Sequence, residues 1–331
     1  MKILYAIQGT GNGHVSRARD IIPILQKKGD LDILVSGIQA DVDLPYNIKY
    51  KFKGLSFIFG KKGGIDLFDT FIKCDLRNLI REIKSLPVND YDLIISDFEP
   101  VSTWACKIKK KPCIGLSHQS AVINKNAPKP KSFDIIGNLV LRYYAPFTKA
   151  YGFHFENYDE NIFSPVIRNQ IRAANPVKNA HYTVYLPAYG DEIIIRILTE
   201  IPQVKWEVFS KHSKVTYTEK NVQIRPIQNE AFITSIVNCT GILCGAGFES
   251  PAEALYLKKK LMVIPMKGQY EQQCNAAALN KLGVPVLKSF KLDYLNQIKN
   301  WVELPQNISI NYPDITEEII DKLIADNIKP S

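Results

Sequence analysis

The constraint that dominates this chain is alternation. Short apolar runs rich in β-branched residues, at 3–7, 33–35, 48–52, 93–96 and 113–116, trade places with helical patterns at 14–28, 67–86 and 101–110. A second series follows, with strand-like runs at 182–186, 206–209, 222–225, 242–243, 261–264 and 286–287 and helical stretches at 191–199, 230–237, 248–257 and 271–282. Such alternation specifies parallel sheets with crossover helices on their faces. Within 14–28, Val15, Ala18, Ile21, Ile22 and Leu25 share one stripe, the spacing with which a helix buries a face. A chain of 331 residues is long for one compact core, so two domains are expected. They are placed at 1–165 and 166–331, joined through a polar, Pro-punctuated linker at 161–176, with a final helix at 314–327 packing back on the first. The fold class is α/β, two doubly wound domains facing a cleft, and ligands of such sheets bind beyond the carboxyl ends of the strands.

Composition narrows the partners. With 46% hydrophobic and 23% charged residues the chain is an ordinary folded globule. The six cysteines form no CxxC pair, which reads as buried thiols of a reducing compartment. Residues 1–7 are too few for a signal h-region and no apolar stretch reaches membrane-spanning length, so the expected location is cytoplasmic. A formal charge of +9 favours anionic partners. The basic runs at 107–111, 125–131 and 258–260 are scattered and lack interleaved aromatics, so nucleic acid is not expected. The basic and then apolar stretch 125–153 reads as a mobile loop and a helix, suited to cover the cleft or, if a substrate is a lipid, to rest peripherally on the inner face of a membrane. The loop Gly60-Lys-Lys-Gly-Gly64 offers charge to an anionic substrate.

Three loops carry the chemistry. The first, Gln8-Gly-Thr-Gly-Asn-Gly-His14, lies between strand and helix. It departs from the dinucleotide fingerprint, since position 14 is His and strand two ends Val35-Ser36 without an acidic residue; a P-loop is excluded by the missing Gly-Lys-Ser/Thr. A histidine at a helix N-terminus is held towards its neutral form by the dipole, which makes His14 a base candidate, or a helix cap. Asp97, ending 93–97, competes for that role. His118, after the strand at 113–116, points to the acceptor side of a cleft or to a structural bond.

The second loop, Gly245-Ala-Gly-Phe-Glu-Ser250, runs from a strand into a helix with Pro251 in its first turn. Free amides there make an anion site suited to a diphosphate, and Glu253 stands one turn on, where its carboxylate meets a sugar or ribose hydroxyl or complements the dipole. The third, Gly268-Gln-Tyr-Glu-Gln272-Gln-Cys-Asn275, supplies the acceptors and amides a hydroxyl-rich ligand needs in Gln269, Glu271, Gln272 and Asn275. No DxD-type carboxylate pair and no His/Cys cluster has ligand spacing, so no metal is expected.

Gly11-Asn-Gly-His14-Val-Ser-Arg17, with Gly245-Ala-Gly-Phe-Glu-Ser-Pro-Ala-Glu253 and Gly268-Gln-Tyr-Glu-Gln272-Gln-Cys-Asn275, resembles the glycosyltransferase-B superfamily over nearly the whole chain. The likeness is to glycosyltransferase family 1-like proteins and, more distantly, to the peptidoglycan-precursor N-acetylglucosaminyltransferase. It implies two Rossmann-like domains, an N-terminal one for the acceptor and a C-terminal one for the nucleotide sugar. The activity implied is inverting, metal-independent transfer from a UDP-sugar, used as substrate with no cofactor, to a hydroxyl acceptor such as a glycan or lipid-linked sugar. Carried over by residue, Gly245, Ala246, Gly247, Phe248, Glu249 and Ser250 match the diphosphate turn and Glu253 the ribose-holding glutamate. Glu271 and Gln272 match the pair reading sugar hydroxyls. Pro226, Ile227 and Phe232 lie where the base is enclosed, and Ser210 and Lys211 where a strand-end loop nears phosphate. Gly11, Asn12, Gly13 and Arg17 complete the donor side, with Arg17 or Lys211 stabilising the leaving phosphate. His14 matches a base in some relatives, where others use an acidic residue. The competing readings are a UDP-sugar 2-epimerase of the same fold and a non-catalytic nucleotide or polyanion binder.

Overall fold

The computed structural model describes the chain except for Gly11, Phe133 and residues 38–43, 56–74, 178–179 and 329–331. Its first half contains β1 (Lys2–Gln8), α1 (Asn12–Lys28), β2 (Asp30–Ser36), β3 (Tyr50–Phe52), α2 (Leu76–Ser85), β4 (Leu93–Asp97), α3 (Pro100–Lys109), β5 (Ile114–Ser117), α4 (His118–Val122), α5 (Ile135–Tyr143), β6 (Lys149–Phe153) and β7 (Ile162–Phe163). These strands form one parallel sheet in the order β3-β2-β1-β4-β5-β6-β7. The second half contains α6 (Asn169–Arg172), β8 (His181–Tyr185), α7 (Asp191–Leu198), β9 (Lys205–Ser210), β10 (Tyr217–Glu219), β11 (Val222–Pro226), α8 (Asn229–Asn238), β12 (Gly241–Gly245), α9 (Glu249–Tyr256), β13 (Lys260–Ile264), α10 (Tyr270–Lys281), α11 (Leu295–Glu303) and α12 (Thr316–Asn327). Its sheet runs β10-β11-β9-β8-β12-β13, parallel except where β10 meets β11.

Both sheets are covered on two faces, as continuous apolar strands require. Ile3, Tyr5 and Ile7 of β1 enter one core cluster while Leu4 and Ala6 enter another. In β12, Ile242 and Cys244 face one cluster and Leu243 the other. The order of strand addition reverses between β1 and β4 in the first sheet and between β8 and β12 in the second. Loops depart to opposite faces at such a switch point and leave a crevice. The loops after β1 and β12, two of the three whose sequences carried the chemistry, leave at these switch points, and Asp97 ends β4 beside the first of them.

Some elements escaped the pattern. The segments 124–155 and 161–176, read as loop, helix and linker, also hold strands β6 and β7, which extend the first sheet. A two-residue strand is too short to show periodicity, and β6 carries Gly152 because a Cβ there would come within 2.7 Å of the Ala121 backbone nitrogen. Strand β10 is exposed along its length, so no buried alternation marks it. Residues 286–287 contribute only a single bridge, Val286 to Val263. Of the helix expected over 67–86, residues 67–74 lie outside the described residues, as do the 60–64 loop and Cys74. The other five cysteines are free and buried.

After α11 the chain returns to the first sheet. Helix α12 buries Ile319, Ile320 and Leu323 in the large core cluster and lays its polar edge on the first half. Lys28 of α1 pairs with Glu317 at 3.1 Å and Asp321 at 2.7 Å, and the Tyr151 hydroxyl donates to Asp326 at 2.7 Å. Exposed pairs of this kind contribute little, so the three apolar side chains hold the helix down. Leu323→Ala should therefore destabilise the protein by about 2–5 kcal/mol in denaturant titrations, whereas Glu317→Ala should shift the midpoint hardly at all.

Candidate functional site

Parallel pairing of Ile7 with Asp97 brings the end of β4 level with the end of β1. Phe98 follows with φ +56°, an unfavourable conformation for a bulky residue. The turn it makes sends two carboxylates in different directions. Glu99 accepts from the Val101 and Ser102 amides at 2.7 and 2.6 Å and caps α3. Asp97, with no solvent exposure, points at α1.

There it accepts from Arg17 Nη2 at 2.7 Å and Nε at 3.1 Å, and its Oδ1 lies 2.8 Å from His14 Nδ1. Burial acts to raise the pKa of Asp97, but Arg17 and then His14 outweigh it and hold the carboxyl below its ordinary value. An ionised carboxylate only accepts, so His14 carries its proton on Nδ1 and presents the Nε2 lone pair. The two residues left competing for one role are thus hydrogen-bonded partners, and Asp97 is spent on Arg17 and His14. His14, 13% exposed at its side chain, is the member open to the cleft.

The second half brings α9 against this centre. A Cβ built on Gly247 would meet nothing within 4 Å, and one on Gly245 only Gln272 Oε1 at 3.7 Å and the Ile264 carbonyl at 3.9 Å. Helix α9 has no side-chain N-cap. The glycine turn is therefore uncrowded and no side chain caps the first amides of α9, although the Ala246 amide is held by the Ile264 carbonyl at 3.3 Å. An uncapped helix start beside such a turn is the condition for holding an anion. A Cβ on Gly13 would lie 3.2 Å from Glu249 Cγ, which shows how closely the β1 and β12 loops approach.

Four side-chain contacts bolt the halves together, and they revise several expectations. Arg17 is no free cation for a phosphate: it is 2% exposed and spans from Asp97 to the Glu249 carboxylate. Glu253 is buried, and Arg168, from the segment between the sheets, grips it with both Nε and Nη2, the latter at 2.7 Å. A ribose would have to share that carboxylate. His118 is not on an open acceptor face: its ring stacks on Phe248 with centroids 3.8 Å apart, Nε2 lies 2.7 Å from Asn275 Oδ1 and Nδ1 2.9 Å from the Phe153 carbonyl. Asn275 is likewise fully buried and donates to the Ala246 carbonyl at 3.1 Å, so both ends of its amide serve the fold. Last, Gln119 Nε2 donates to Glu271 at 3.0 Å and lies 3.4 Å from His14 Nε2.

Gln119 and Arg168 escaped the sequence reading. Gln119 had a signal, since it follows β5 at the cleft edge beside His118; Arg168 is a lone cation in a linker, and no spacing marks it. Gln119 Oε1 and Gln269 Oε1 are buried without partners, two orphaned acceptors near Glu271. Gln272 Oε1 instead accepts from the Met266 amide at 2.9 Å and shapes the turn before α10. Ser210 is buried, donates to Asp191 and accepts from the His212 amide at 2.9 Å, closing its own loop, while Lys211 is exposed. Phe232 packs edge-on against Phe209 and Tyr185, and Ile227 is half-buried beside α8. Asn12 opens α1, Ala246 follows β12 and Ser250 lies in the first turn of α9, while Gly11 is outside the described residues. A small polar cavity of about 170 Å³ adjoins Arg168, Asn229 and Asp20. A larger groove of about 920 Å³ lies on the outer side of the second sheet, where His181, Glu207 and Arg225 pair with one another, and none of the cleft residues line it.

Two parallel α/β sheets whose switch-point loops meet across one cleft define the glycosyltransferase-B fold. The model of the family described as Glycosyl transferase family 1 matches residues 1–304, so the chain belongs to that family and is a glycosyltransferase. Among solved structures it is similar to the glycotransferase of kitacinnamycin, at TM-score 0.60 and 10% identity over 97% of this chain and 93% of that one. MurG of Acinetobacter baumannii superposes at TM-score 0.58 and 14% identity, over 97% and 98%. UGT89C1 of Arabidopsis thaliana, complexed with UDP, does so at 0.58 and 13%, over 99% and 94%. At these identities the likeness is one of fold. No curated protein sequence matches the chain.

Glu249 offers a test of the bolted cleft. Burial pushes its carboxyl up to about 7, with Arg17 working against the rise. The native state then binds a proton that the unfolded chain releases near pH 4.5, so this residue makes stability fall as pH rises from about 4.5 through about 7. Glu249→Gln should flatten that part of the stability–pH curve in denaturant titrations; an unchanged slope would show that Glu249 titrates normally.

Proposed function

We propose that the protein transfers a sugar, with inversion and without a metal ion, from a UDP-sugar to an acceptor hydroxyl. The observation that carries the reading is the open glycine turn and uncapped start of α9, set directly across the cleft from an imidazole whose tautomer is fixed by a buried carboxylate. A relative of the same fold binds UDP, which supports uridine as the base.

His14 Nε2 takes the proton of the acceptor hydroxyl as its oxygen attacks the anomeric carbon. Asp97 holds the ring and balances the charge that develops on it, a role in which an ionised, pre-paired carboxylate costs no reorganisation. The departing diphosphate gains negative charge opposite the amides of Phe248, Glu249 and Ser250, which are fixed in place beforehand. Glu271, with the orphaned carbonyls of Gln119 and Gln269, receives the hydroxyls of the transferred sugar. Arg17 acts indirectly, by keeping Asp97 ionised and Glu249 out of the diphosphate site.

The deciding experiment is a nucleotide-sugar panel scored by binding and by release of nucleoside diphosphate. A transferase releases diphosphate when acceptor is present, an epimerase converts the donor alone, and an inert binder does neither. UDP should stabilise the fold by ~2.7 kcal/mol at a hundredfold excess over its Kd; the absence of any thermal shift with nucleoside diphosphates would remove the donor site. His14→Ala should lower kcat roughly 10²–10⁴-fold with donor affinity nearly unchanged. Asp97→Asn should lower kcat and alter its pH profile, and EDTA should leave the rate as it was.

A further inference from the structure

Helix α5 has two apolar faces, and only one is used. Leu141 and Tyr144 point inward, and Gly137 sits so close to α10 that a Cβ there would meet Tyr270 Cβ at 2.4 Å. Ile135, Ile136, Leu139 and Tyr143 lie on the opposite side, 62%, 59%, 48% and 58% exposed. At 100° per residue these four fall within one stripe about 100° wide. Large exposed apolar side chains are otherwise scattered singly or in pairs along the described chain, so four in nine residues form a patch that water does not favour.

The surroundings of the stripe say what covers it. From residue 124 to 143 the chain carries Lys125, Lys129, Lys131 and Arg142 against a single acidic residue, Asp134, whose carboxylate is engaged in capping α5. Lys125, Lys131 and Arg142 are exposed. Lys129 is exposed as well, with its ammonium donating to the Val122 and Asn124 carbonyls. Apolar side chains rimmed by cations on a short helix fit the boundary between acyl chains and anionic headgroups. Among the described residues no helix is long and apolar enough to cross a membrane, so the contact is one of lying on the surface.

We propose that α5 docks this protein on an anionic lipid bilayer, and, resting on the transferase reading above, that the acceptor hydroxyl is borne by a lipid. The inner face of α5 touches Tyr270, and the next residue, Glu271, is held by Gln119 beside His14. Docking through the outer face therefore brings the bilayer surface to the mouth of the cleft.

The test is sedimentation of the full chain with vesicles of phosphatidylcholine alone or mixed with phosphatidylglycerol, at low and high salt. The chain should pellet with the anionic vesicles, less so as salt rises, and stay in solution with the neutral ones. Ile136→Glu/Leu139→Glu should abolish pelleting with an unchanged unfolding midpoint, since both side chains are exposed. Lys131→Gln and Arg142→Gln should each weaken partitioning by about fivefold. Equal pelleting with both vesicle types, or full pelleting of the double variant, overturns the proposal. So does a mass in solution that falls from dimer to monomer in the double variant, because a second copy would then be what covers the stripe. Stabilisation by UDP, measured without vesicles, reads the donor site separately, so a failure of docking and a failure of the transferase reading are told apart.

Discussion

A carboxylate with no access to solvent is tenable only when its charge is answered locally. Asp97 is answered twice, by a guanidinium that is itself buried and by an imidazole at the cleft. Arg17 has its own charge to settle and does so on the other half of the molecule, at Glu249. The chain His14, Asp97, Arg17, Glu249 therefore joins the cleft imidazole of one sheet to the glycine turn of the other. Arg17 is the member on which the others depend, since its loss leaves Asp97 buried with no permanent cation and Glu249 without its partner, which costs far more than the lost contacts.

The same economy recurs across the cleft. Asn275 answers His118, the stack of His118 on Phe248 joins the apolar cores of the two halves, and within the second half Arg168 answers Glu253. Buried polar pairs add little net stability over apolar packing. What they supply is register: each bond is satisfied in one relative position of the sheets, and that position sets His14 opposite the start of α9. Glu249 and Glu253 are thereby each paired with an arginine and leave no unanswered negative charge beside the glycine turn.

The sheets and the three chemistry-bearing loops were legible in the sequence because each depends on local pattern. Glycines followed by a helix start announce Gly245 to Ser250, and His14 stands in the matching place after β1. Partnership was not legible. Asp97 and His14 are 83 residues apart and looked like rivals for one role until parallel register set them side by side. Arg17 and Asn275 were placed among the donor-facing groups, and His118 and Glu253 were left between a ligand and a structural role; all four are buried in side-chain pairs, which only tertiary contact decides. Strands β6 and β7 were missed for a related reason: their stability comes from extending an existing sheet and leaves no periodic trace of its own.

The return of the chain through α12 has a mechanical corollary. The polypeptide passes between the halves twice, once before α6 and once after α11, and Arg172 ties the two passages together through the Tyr312 and Pro313 carbonyls. Tyr312 in turn donates to the Phe155 carbonyl beneath them. Two adjacent threads clipped side by side fix the halves along a line rather than at a point, a constraint on twisting that a single crossing would not supply.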